Sequence, residues 1–322
     1  MHRTARILGA ALAAFLVIAI IAYVARNPEK KPLDDAARAT ASGKFIPLSD
    51  GITQYEVAGP DTGATVVLCS GFSVPYYLWD STAAALVANG FRVLRYNYFG
   101  RGYSDRPALR YDLASYNRQI TELLDSLHIR RPVDIAGISM GGAIAASFAD
   151  AFPSQVRTVT LVDPAIGTSS GAPTMLRIPG VGEYAMTTLA APSMASGQLS
   201  DFLHPERYPN WVPRYEEQMQ YKGFLHSLLA TQRADVFTRP ASSFTTLARS
   251  GIPILIIWGR QDHTVPFSRS DTMRAAFPRA ILVAIDSAGH LPQIEQAAQV
   301  DTAMVRFLRS HIDSSGLASP RR

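Results

Sequence analysis

The chain has 322 residues, of which 47% are hydrophobic and 18% are charged, a balance typical of a globular protein and not of a disordered one. The formal net charge of +5 does not indicate nucleic-acid binding, because many of the basic residues lie near the two ends of the chain and not in one cluster. The single cysteine, Cys69, excludes an intrachain disulfide, and its apolar neighbours predict a buried structural thiol.

The N-terminal segment, residues 1–26, contains an uncharged and almost wholly apolar run from Ile7 to Val24. As a helix this run would be about 27 Å long, close to the ~30 Å hydrocarbon core of a bilayer. We therefore expect an uncleaved membrane anchor, with a signal peptide cleaved near Ala22 or Ala25 as the alternative. If the segment enters the export pathway, the rest of the chain lies outside the cytoplasm, either anchored or, after cleavage, secreted or periplasmic.

A polar linker is predicted over residues 27–44, and from Phe45 onward short β-rich runs alternate with helical stretches. Such alternation is typical of an α/β fold, in which a mostly parallel central sheet is covered by helices on both faces. The predicted strands are Phe45–Pro47, Thr53–Val57, Val66–Cys69, Arg92–Tyr96, Val133–Ile138, Val156–Val162, Pro253–Trp258 and Ile281–Ile285. The predicted helices are Ser81–Asn89, Leu113–Leu127, Met140–Ala151, Ser268–Ala276 and Gln293–His311.

One segment, residues 165–243, breaks this alternation; it is rich in proline, methionine, tyrosine and leucine and has no strong strand pattern. We interpret it as a helical insertion, the cap segment, that divides the α/β core into residues 45–164 and 244–312. It is expected to lie over the carboxyl ends of the strands, where ligands bind in open α/β sheets. Residues 313–322 are expected to form a C-terminal tail.

A nucleophile is predicted at Ser139, because a buried strand leads into it and a helix of small residues leads out of it. A sharp strand–turn–helix connection of this kind exposes the serine hydroxyl above the edge of the sheet. Crowding in the turn leaves no room for side chains at the flanking glycines. The residues of the turn are Gly137-Ile138-Ser139-Met140-Gly141.

A base and an acid are needed as well, since a serine hydroxyl at its ordinary pKa is a weak nucleophile. His290 follows the strand Ile281–Ile285 and is the expected base, and Asp262, after the strand Pro253–Trp258, is the expected acid that orients it. Asp163 at the end of the strand before the cap segment is a rival acid, and His263 is a rival base.

Backbone N–H groups that stabilise a developing oxyanion are expected from two places. One is Met140, directly after the nucleophile, and the other is Phe72, in the loop that follows the strand Val66–Cys69. Both contributions would come from the backbone alone. The aromatic side chain of Phe72 is also expected to line the substrate pocket.

Taken together, these motifs resemble the α/β-hydrolase superfamily, in its serine esterase and monoacylglycerol-lipase-like branch. The chain order Ser139, Asp262, His290 matches the family, and the loop from Asn97 to Pro107 resembles its Asp-x-x-Gly-x-Gly-x-Ser-Asp signature, with Asn97 in place of the usual aspartate. The family usually opens the oxyanion loop with a His-Gly pair, whereas this chain has Ser70 at the first position. The resemblance implies the α/β-hydrolase fold with a cap.

The resemblance implies hydrolysis of a carboxylic ester through an acyl-enzyme, with no cofactor and no metal. The apolar stretches 175–186 and 211–229, together with the membrane segment, favour a lipophilic or acyl-lipid substrate. A carbon–carbon bond hydrolase or a perhydrolase using the same three residues is the alternative, and a non-catalytic binding protein of this fold is a further one. Family members with an aspartate nucleophile, such as dehalogenases and epoxide hydrolases, are disfavoured by Ser139.

Overall fold

The computed structural model describes residues 2–169 and 171–312, so the predicted tail, residues 313–322, lies outside the described residues. Within these residues a single sheet contains eight strands. The strands are β1 (Lys44–Leu48), β2 (Gly51–Ala58), β3 (Thr65–Cys69), β4 (Arg92–Tyr96), β5 (Val133–Ile138), β6 (Val156–Val162), β7 (Ile254–Gly259) and β8 (Ile281–Ile285).

The strand order is β1-β2-β4-β3-β5-β6-β7-β8. β2 pairs antiparallel with both β1 and β4, and every other neighbouring pair is parallel. The predicted α/β class with a mostly parallel sheet is therefore confirmed. The carboxyl ends of β3, β5, β6 and β7 meet at one edge of this sheet, which is where the loops carrying the candidate site residues emerge.

The α-helices in the described residues are numbered in chain order. They are α1 (His2–Arg26), α2 (Asp35–Ala39), α3 (Asp80–Ala88), α4 (Leu113–Ser126), α5 (Met140–Ala151), α6 (Thr174–Arg177), α7 (Val181–Ala185), α8 (Ala191–Gly197), α9 (Trp211–Met219), α10 (Phe224–Arg233), α11 (Thr245–Ser250), α12 (Ser270–Ala276), α13 (Pro292–Glu295) and α14 (Ala297–Ile312). The predicted helix Gln293–His311 is thus two helices, because Gln296 between them has a φ of −130°, outside the helical range.

Both faces of the sheet are buried, and successive residues of one strand point to opposite faces. In β3, Val66 and Leu68 pack with α3 and α14, whereas Val67 and Cys69 pack with α4 and α5. This arrangement explains why the central strands are continuous apolar runs without polar alternation.

The cap segment consists of short helices, α6 to α10, connected by single turns and by a π-helical stretch, Met186–Ala190. Its own core is aromatic: the ring of Tyr215 packs on that of Phe224, and the ring of Trp211 packs on that of Phe202. All of these side chains are buried in the cluster on the face of the sheet that carries α3. The cap segment is therefore packed onto the domain over an extended area.

The predicted polar linker, residues 27–44, is held to the domain by polar contacts. The buried Arg38 forms an ion pair with Asp105 and donates a hydrogen bond to the carbonyl of Tyr103 (3.3 Å). Lys31 pairs with Tyr221 in an isolated β-bridge. No apolar pattern marks this stretch of sequence because its contacts are made by charged side chains and by the backbone.

The first helix, α1, is long and apolar enough to cross a membrane by length and composition, with a mean hydropathy of 2.8 over its most apolar span of 18 residues. None of that span is buried inside the protein. It projects from the domain, and only its carboxyl end touches the cap segment.

Candidate active site

The turn between β5 and α5 places Ser139 in a strained backbone conformation, with φ of 53° and ψ of −120°. A positive φ is costly for a residue with a Cβ and persists only where surrounding contacts enforce it. The flanking glycines are part of that enforcement. A Cβ at Gly137 would lie 2.0 Å from the carbonyl oxygen of Gly141, and one at Gly141 would lie 2.3 Å from that of Cys69. The sequence motif is thus explained by close backbone approach.

The predicted base and acid lie together: His290 Nδ1 is 2.7 Å from Asp262 Oδ2, and both side chains are buried. Asp262 is fixed in turn, because its Oδ1 accepts the backbone N–H groups of Thr264 and Val265, each at 2.8 Å. The backbone N–H of His290 donates to the carbonyl of Asp201 at 2.8 Å. His290 and Ser139 line the same cavity.

The rival acid, Asp163, is fully buried and has a positive φ of 40°. Its Oδ1 accepts the backbone N–H of Gly259 at 2.9 Å, at the end of β7, and its Oδ2 has no hydrogen-bond partner among the described residues. Burial, and next the charge of the neighbouring Asp262, raise the pKa of Asp163 well above its ordinary value. The neutral carboxyl is thus favoured, and an uncharged group does not stabilise a histidinium as Asp262 would. The rival base, His263, is exposed.

The pKa of His290 reflects opposing effects. Burial lowers it, but the hydrogen bond and the charge of Asp262, together with the charge of Asp201, outweigh burial and raise it above its ordinary value. Burial of Asp201 in turn raises the pKa of that carboxyl, and the nearby His290 lowers it. The histidine is therefore coupled to a carboxyl from the cap segment as well as to Asp262.

The two N–H groups expected to stabilise an oxyanion belong to Phe72 and Met140, which flank the nucleophile from β3 and α5. Neither donates a hydrogen bond to another described residue. Gly71 also lies against the nucleophile, since a Cβ there would be 3.8 Å from the Cβ of Ser139. Both N–H groups are consequently free to bind an incoming anionic oxygen close to Ser139.

Side chains from outside the oxyanion loop hold its carbonyls in place. Tyr98 Oη donates to the carbonyl of Ser70, and Gln218 Nε2 of the cap segment donates to that of Ser73, each at 2.8 Å. Ser70 occupies the position where histidine is usual, and its buried Oγ has no partner among the described residues. The loop therefore depends on contacts to its carbonyls and not on the side chain of its first residue.

Arg101 contacts the loop after β3 and was not singled out from the sequence, although it lies inside the signature loop from Asn97 to Pro107. Its Nε donates to the carbonyl of Phe72 at 2.8 Å, and its Nη2 donates to Thr231 Oγ1 of α10 at 3.0 Å. The buried guanidinium also lies over the rings of Phe72 and Tyr111, at 5.5 and 5.9 Å. Arg101 thus joins the oxyanion loop to the cap segment.

Two cavities meet at Ser139, Phe72 and Thr264. One, of about 310 Å³, extends past His290 toward apolar side chains. The other, of about 330 Å³, extends under the start of the cap segment. The apolar residues along the first are Val74, Leu78, Ile138 and Leu291, and along the second Ala165, Ala172, Pro173, Phe237 and Val265. The apolar stretches 175–186 and 211–229, which the sequence suggested as pocket walls, line neither of these cavities.

Charged side chains along the two cavities are acidic. Asp201 lines the first and Asp235 the second, and no described residue lining either is a lysine or an arginine. The Asp235 carboxylate is paired with Arg177 at 2.5 Å. A substrate without negative charge suits such walls better than an anion, because no lining residue offers a cation and Arg177 is already paired with the Asp235 carboxylate.

One group of side chains in the described residues is close enough to hold a metal ion, with ligand atoms within 4.8 Å of one another. It consists of Asp163, Asp262 and His290, the same residues just described. The bond between His290 and Asp262 already uses one atom of each. This geometry fits an acid–base pair, and the sequence predicts neither a metal nor a cofactor here.

The fold and this arrangement have counterparts among known proteins. A family model for the alpha/beta hydrolase fold matches residues 64–297. The 2-hydroxy-6-oxononadienedioate/2-hydroxy-6-oxononatrienedioate hydrolase of Cupriavidus pinatubonensis is 30% identical over 85% of this chain and 97% of its own length. Lipase 3 of Moraxella sp. is 23% identical over 75% of this chain and 76% of its own length. Among solved structures, a hydrolase from Pseudomonas aeruginosa matches with a TM-score of 0.70 and 25% identity, over 84% of this chain and 99% of its own.

Replacing Asp262 and Asp163 in turn by asparagine tests which of the two carboxyl groups is the acid that orients His290. Asp262→Asn is expected to lower kcat by roughly 10⁴-fold, because the amide favours the wrong histidine tautomer and does not stabilise its charged form. Asp163→Asn is the matched control and should retain most of the activity, since it replaces a neutral carboxyl by a neutral amide of the same shape. Steady-state kinetics of both variants, with circular dichroism to confirm folding, make the comparison. Equal losses would contradict the assignment.

Removal of the Asp201 charge should shift the pH dependence of catalysis. In Asp201→Asn the protonated form of His290 loses a nearby negative charge, so its pKa falls. The base acts in its neutral form, and the acid limb of the kcat/KM profile should therefore move to lower pH. Ser200→Ala, an uncharged change in the same cavity, should leave the limb in place. A limb that stays fixed or moves upward in Asp201→Asn would refute the coupling.

Proposed function

Because the chain belongs to the α/β-hydrolase family, we propose that it is a serine hydrolase that cleaves a neutral, lipophilic carboxylic ester through an acyl-enzyme at Ser139. The observation that carries this proposal is the 2.7 Å contact between His290 and Asp262 beside the cavity that Ser139 lines. A strained serine, a base oriented by a buried acid and two free N–H groups are the parts that acyl transfer requires.

In the first step, His290 Nε2 takes the proton of Ser139 Oγ while that oxygen attacks the ester carbonyl. The N–H groups of Phe72 and Met140 bind the resulting oxyanion, and Asp262 stabilises the protonated His290. The carbon–oxygen bond to the alcohol then breaks, and His290 gives its proton to the departing alcohol. In the second step His290 activates water, which releases the carboxylic acid and restores the serine.

The charge of the cavity walls favours an ester over the substrates named for the Cupriavidus relative. Those compounds are dioates and carry two carboxylates, whereas Asp201 and Asp235 are the charged side chains along the two cavities here. Carbon–carbon bond hydrolysis remains the second candidate, because that relative is 30% identical over nearly its whole length. The apolar walls and the similarity to a lipase support the lipophilic ester.

Replacement of the nucleophile is the direct test. Ser139→Ala should lower kcat for a p-nitrophenyl ester by at least ~10⁴-fold, as expected for loss of one member of a catalytic triad. Ser169→Ala, which changes an exposed serine of the second cavity, is the matched control and should retain activity. A fluorophosphonate probe should label the wild-type chain and the control but not Ser139→Ala. Retained hydrolysis in Ser139→Ala, or absence of labelling in an active wild-type chain, would overturn the proposal.

Substrate charge separates the two candidate reactions. The wild-type chain should hydrolyse neutral p-nitrophenyl esters of medium-length acids with a higher kcat/KM than the matched ester whose acyl chain ends in a carboxylate. It should act poorly on a 2-hydroxy-6-oxo-dienedioate. Efficient cleavage of the dioate, with slow turnover of every neutral ester, would establish the carbon–carbon reaction instead.

We propose further that α1 is an uncleaved anchor that holds the catalytic domain at the membrane, outside the cytoplasm. The length and hydropathy of α1 support this, as do the contacts of its carboxyl end with the cap segment. The full-length chain should remain in the membrane pellet after carbonate extraction, and its intact mass should include residues 1–26. A mature chain that begins near Tyr23 or Arg26, after cleavage near Ala22 or Ala25, would show that the segment is a signal peptide.

A further inference from the structure

The cap segment carries an exposed apolar surface, here called the apolar cap face. It consists of large side chains on α6, on α7 and near them, with exposed fractions between 37% and 62%. Outside α1, the other large hydrophobic residue exposed to a similar degree in the described chain is Ile281, on the edge strand β8. A cluster of this kind indicates contact with an apolar partner. The residues of the face are Met175, Ile178, Val181, Tyr184 and Leu189.

The carboxyl end of α1 is docked beside this face. The ring of Tyr23 stacks on that of Tyr184 with centroids 6.3 Å apart, and Arg26 Nη1 donates to the carbonyl of Thr188 at 2.8 Å. Ala19 and Ala22 are half-buried, unlike their exposed neighbours, and share one side of the helix with Arg26. The docked side of α1 thus reaches from the end of the helix back into its apolar run.

This docking sets the depth of the apolar cap face relative to a membrane that α1 spans. Ala19, half-buried on the docked side of α1, lies five residues before Val24, where the apolar run ends. Five helical residues rise about 8 Å, which agrees with the ~5–10 Å depth at which amphipathic surfaces enter a bilayer. With Ile7–Val24 in hydrocarbon, the side chains next to Tyr184 and Leu189 lie at the boundary of the same bilayer.

Charges at the end of α1 fit a headgroup layer. Arg26, Lys30, Lys31 and Lys222 are exposed, and none of them forms an ion pair with a carboxylate of the described chain. Glu29 lies among them, but its carboxylate accepts the backbone N–H groups at the start of α10, at 2.6 and 3.1 Å. Basic side chains at this level favour anionic lipids.

We propose that the apolar cap face rests in the surface of the bilayer that α1 spans, and that the lipophilic ester enters the cavity beside it from that bilayer. The second cavity adjoins the face, because Pro173 lines it and directly precedes α6, which carries Met175. This proposal rests on the proposed function and on the anchor, and it identifies the substrate as a membrane-resident ester.

Site-specific fluorescence tests the contact without any turnover. Leu189→Cys is labelled with an environment-sensitive dye in the full chain, reconstituted in phosphatidylcholine–phosphatidylglycerol vesicles with doxyl-labelled lipid. Cys69 does not interfere, since it is fully buried and burial raises its pKa to about 12. The matched control is Ile281→Cys, which replaces an exposed isoleucine outside the cap segment.

The label at position 189 should emit at shorter wavelength, be quenched by doxyl lipid and be shielded from iodide. The label at position 281 should emit at longer wavelength, be quenched by iodide and be unaffected by doxyl lipid. Equal iodide quenching at both positions would overturn the membrane contact.

Turnover of two substrates tests delivery from the bilayer. In the double variant Ile178→Asp, Leu189→Asp, hydrolysis of a long-chain monoacylglycerol held in vesicles should fall at least about tenfold, because the added charges oppose entry into the apolar layer. Hydrolysis of water-soluble p-nitrophenyl acetate should be unchanged, and Ile281→Asp should affect neither substrate. Equal rates on the vesicle substrate would overturn delivery. A wild-type chain that hydrolyses no ester at all would overturn the proposed function, while the fluorescence result would still decide the membrane contact.

Discussion

Close backbone packing between the start of α5 and the ends of β3 and β5 is the constraint on which the candidate site depends. Gly141 lies against the carbonyls of Cys69 and Ser70, and Gly137 lies against Gly141, so no side chain fits at either glycine. This packing holds Ser139 at a positive φ beside the cavity, and it places Met140 directly after it at the start of α5. It also brings β3 close enough for its loop to supply the second N–H group. The positions of the proposed nucleophile and of the proposed oxyanion donors therefore depend on the same contact.

The cap segment also makes hydrogen bonds that hold the oxyanion loop in position. Gln218 and Thr231 belong to the cap, and they bind Ser73 and Arg101 on the side of the core. Arg101 in turn binds the carbonyl of Phe72, whose N–H is proposed to stabilise the oxyanion. A displacement of α9 or α10 would thus be transmitted to the oxyanion loop through two hydrogen bonds.

Much of the fold was predictable because the signals are local. Strands such as Val133–Ile138 are short, buried and rich in branched apolar residues, and the small residues after Ser139 are visible in the sequence alone. The order of Ser139, Asp262 and His290 was likewise readable from strand ends. Arg101 was missed because its partner Thr231 is 130 positions away and only the folded chain brings them together. The sequence also suggested the wrong segments, residues 175–186 and 211–229, as cavity walls. Apolar stretches of the cap segment that are exposed and those that are buried have similar sequences.

Three carboxyl groups lie around His290, and they differ in how they act on the pKa of the histidine. Asp262 is bonded to it, Asp201 acts through its charge, and Asp163 is buried behind Asp262 where a second negative charge is unfavourable. Asp262 and Asp201 strengthen the base through their charge, and the same charges disfavour an anionic substrate near Ser139, whereas the neutral Asp163 adds no charge. A base strengthened in this way is consistent with the neutral substrate proposed above. Neutral esters large enough to fill apolar cavities partition into membranes, which is where α1 and the apolar cap face would place the enzyme. Electrostatics at the nucleophile and hydrophobic contact at the cap thus both support the class of substrate proposed above.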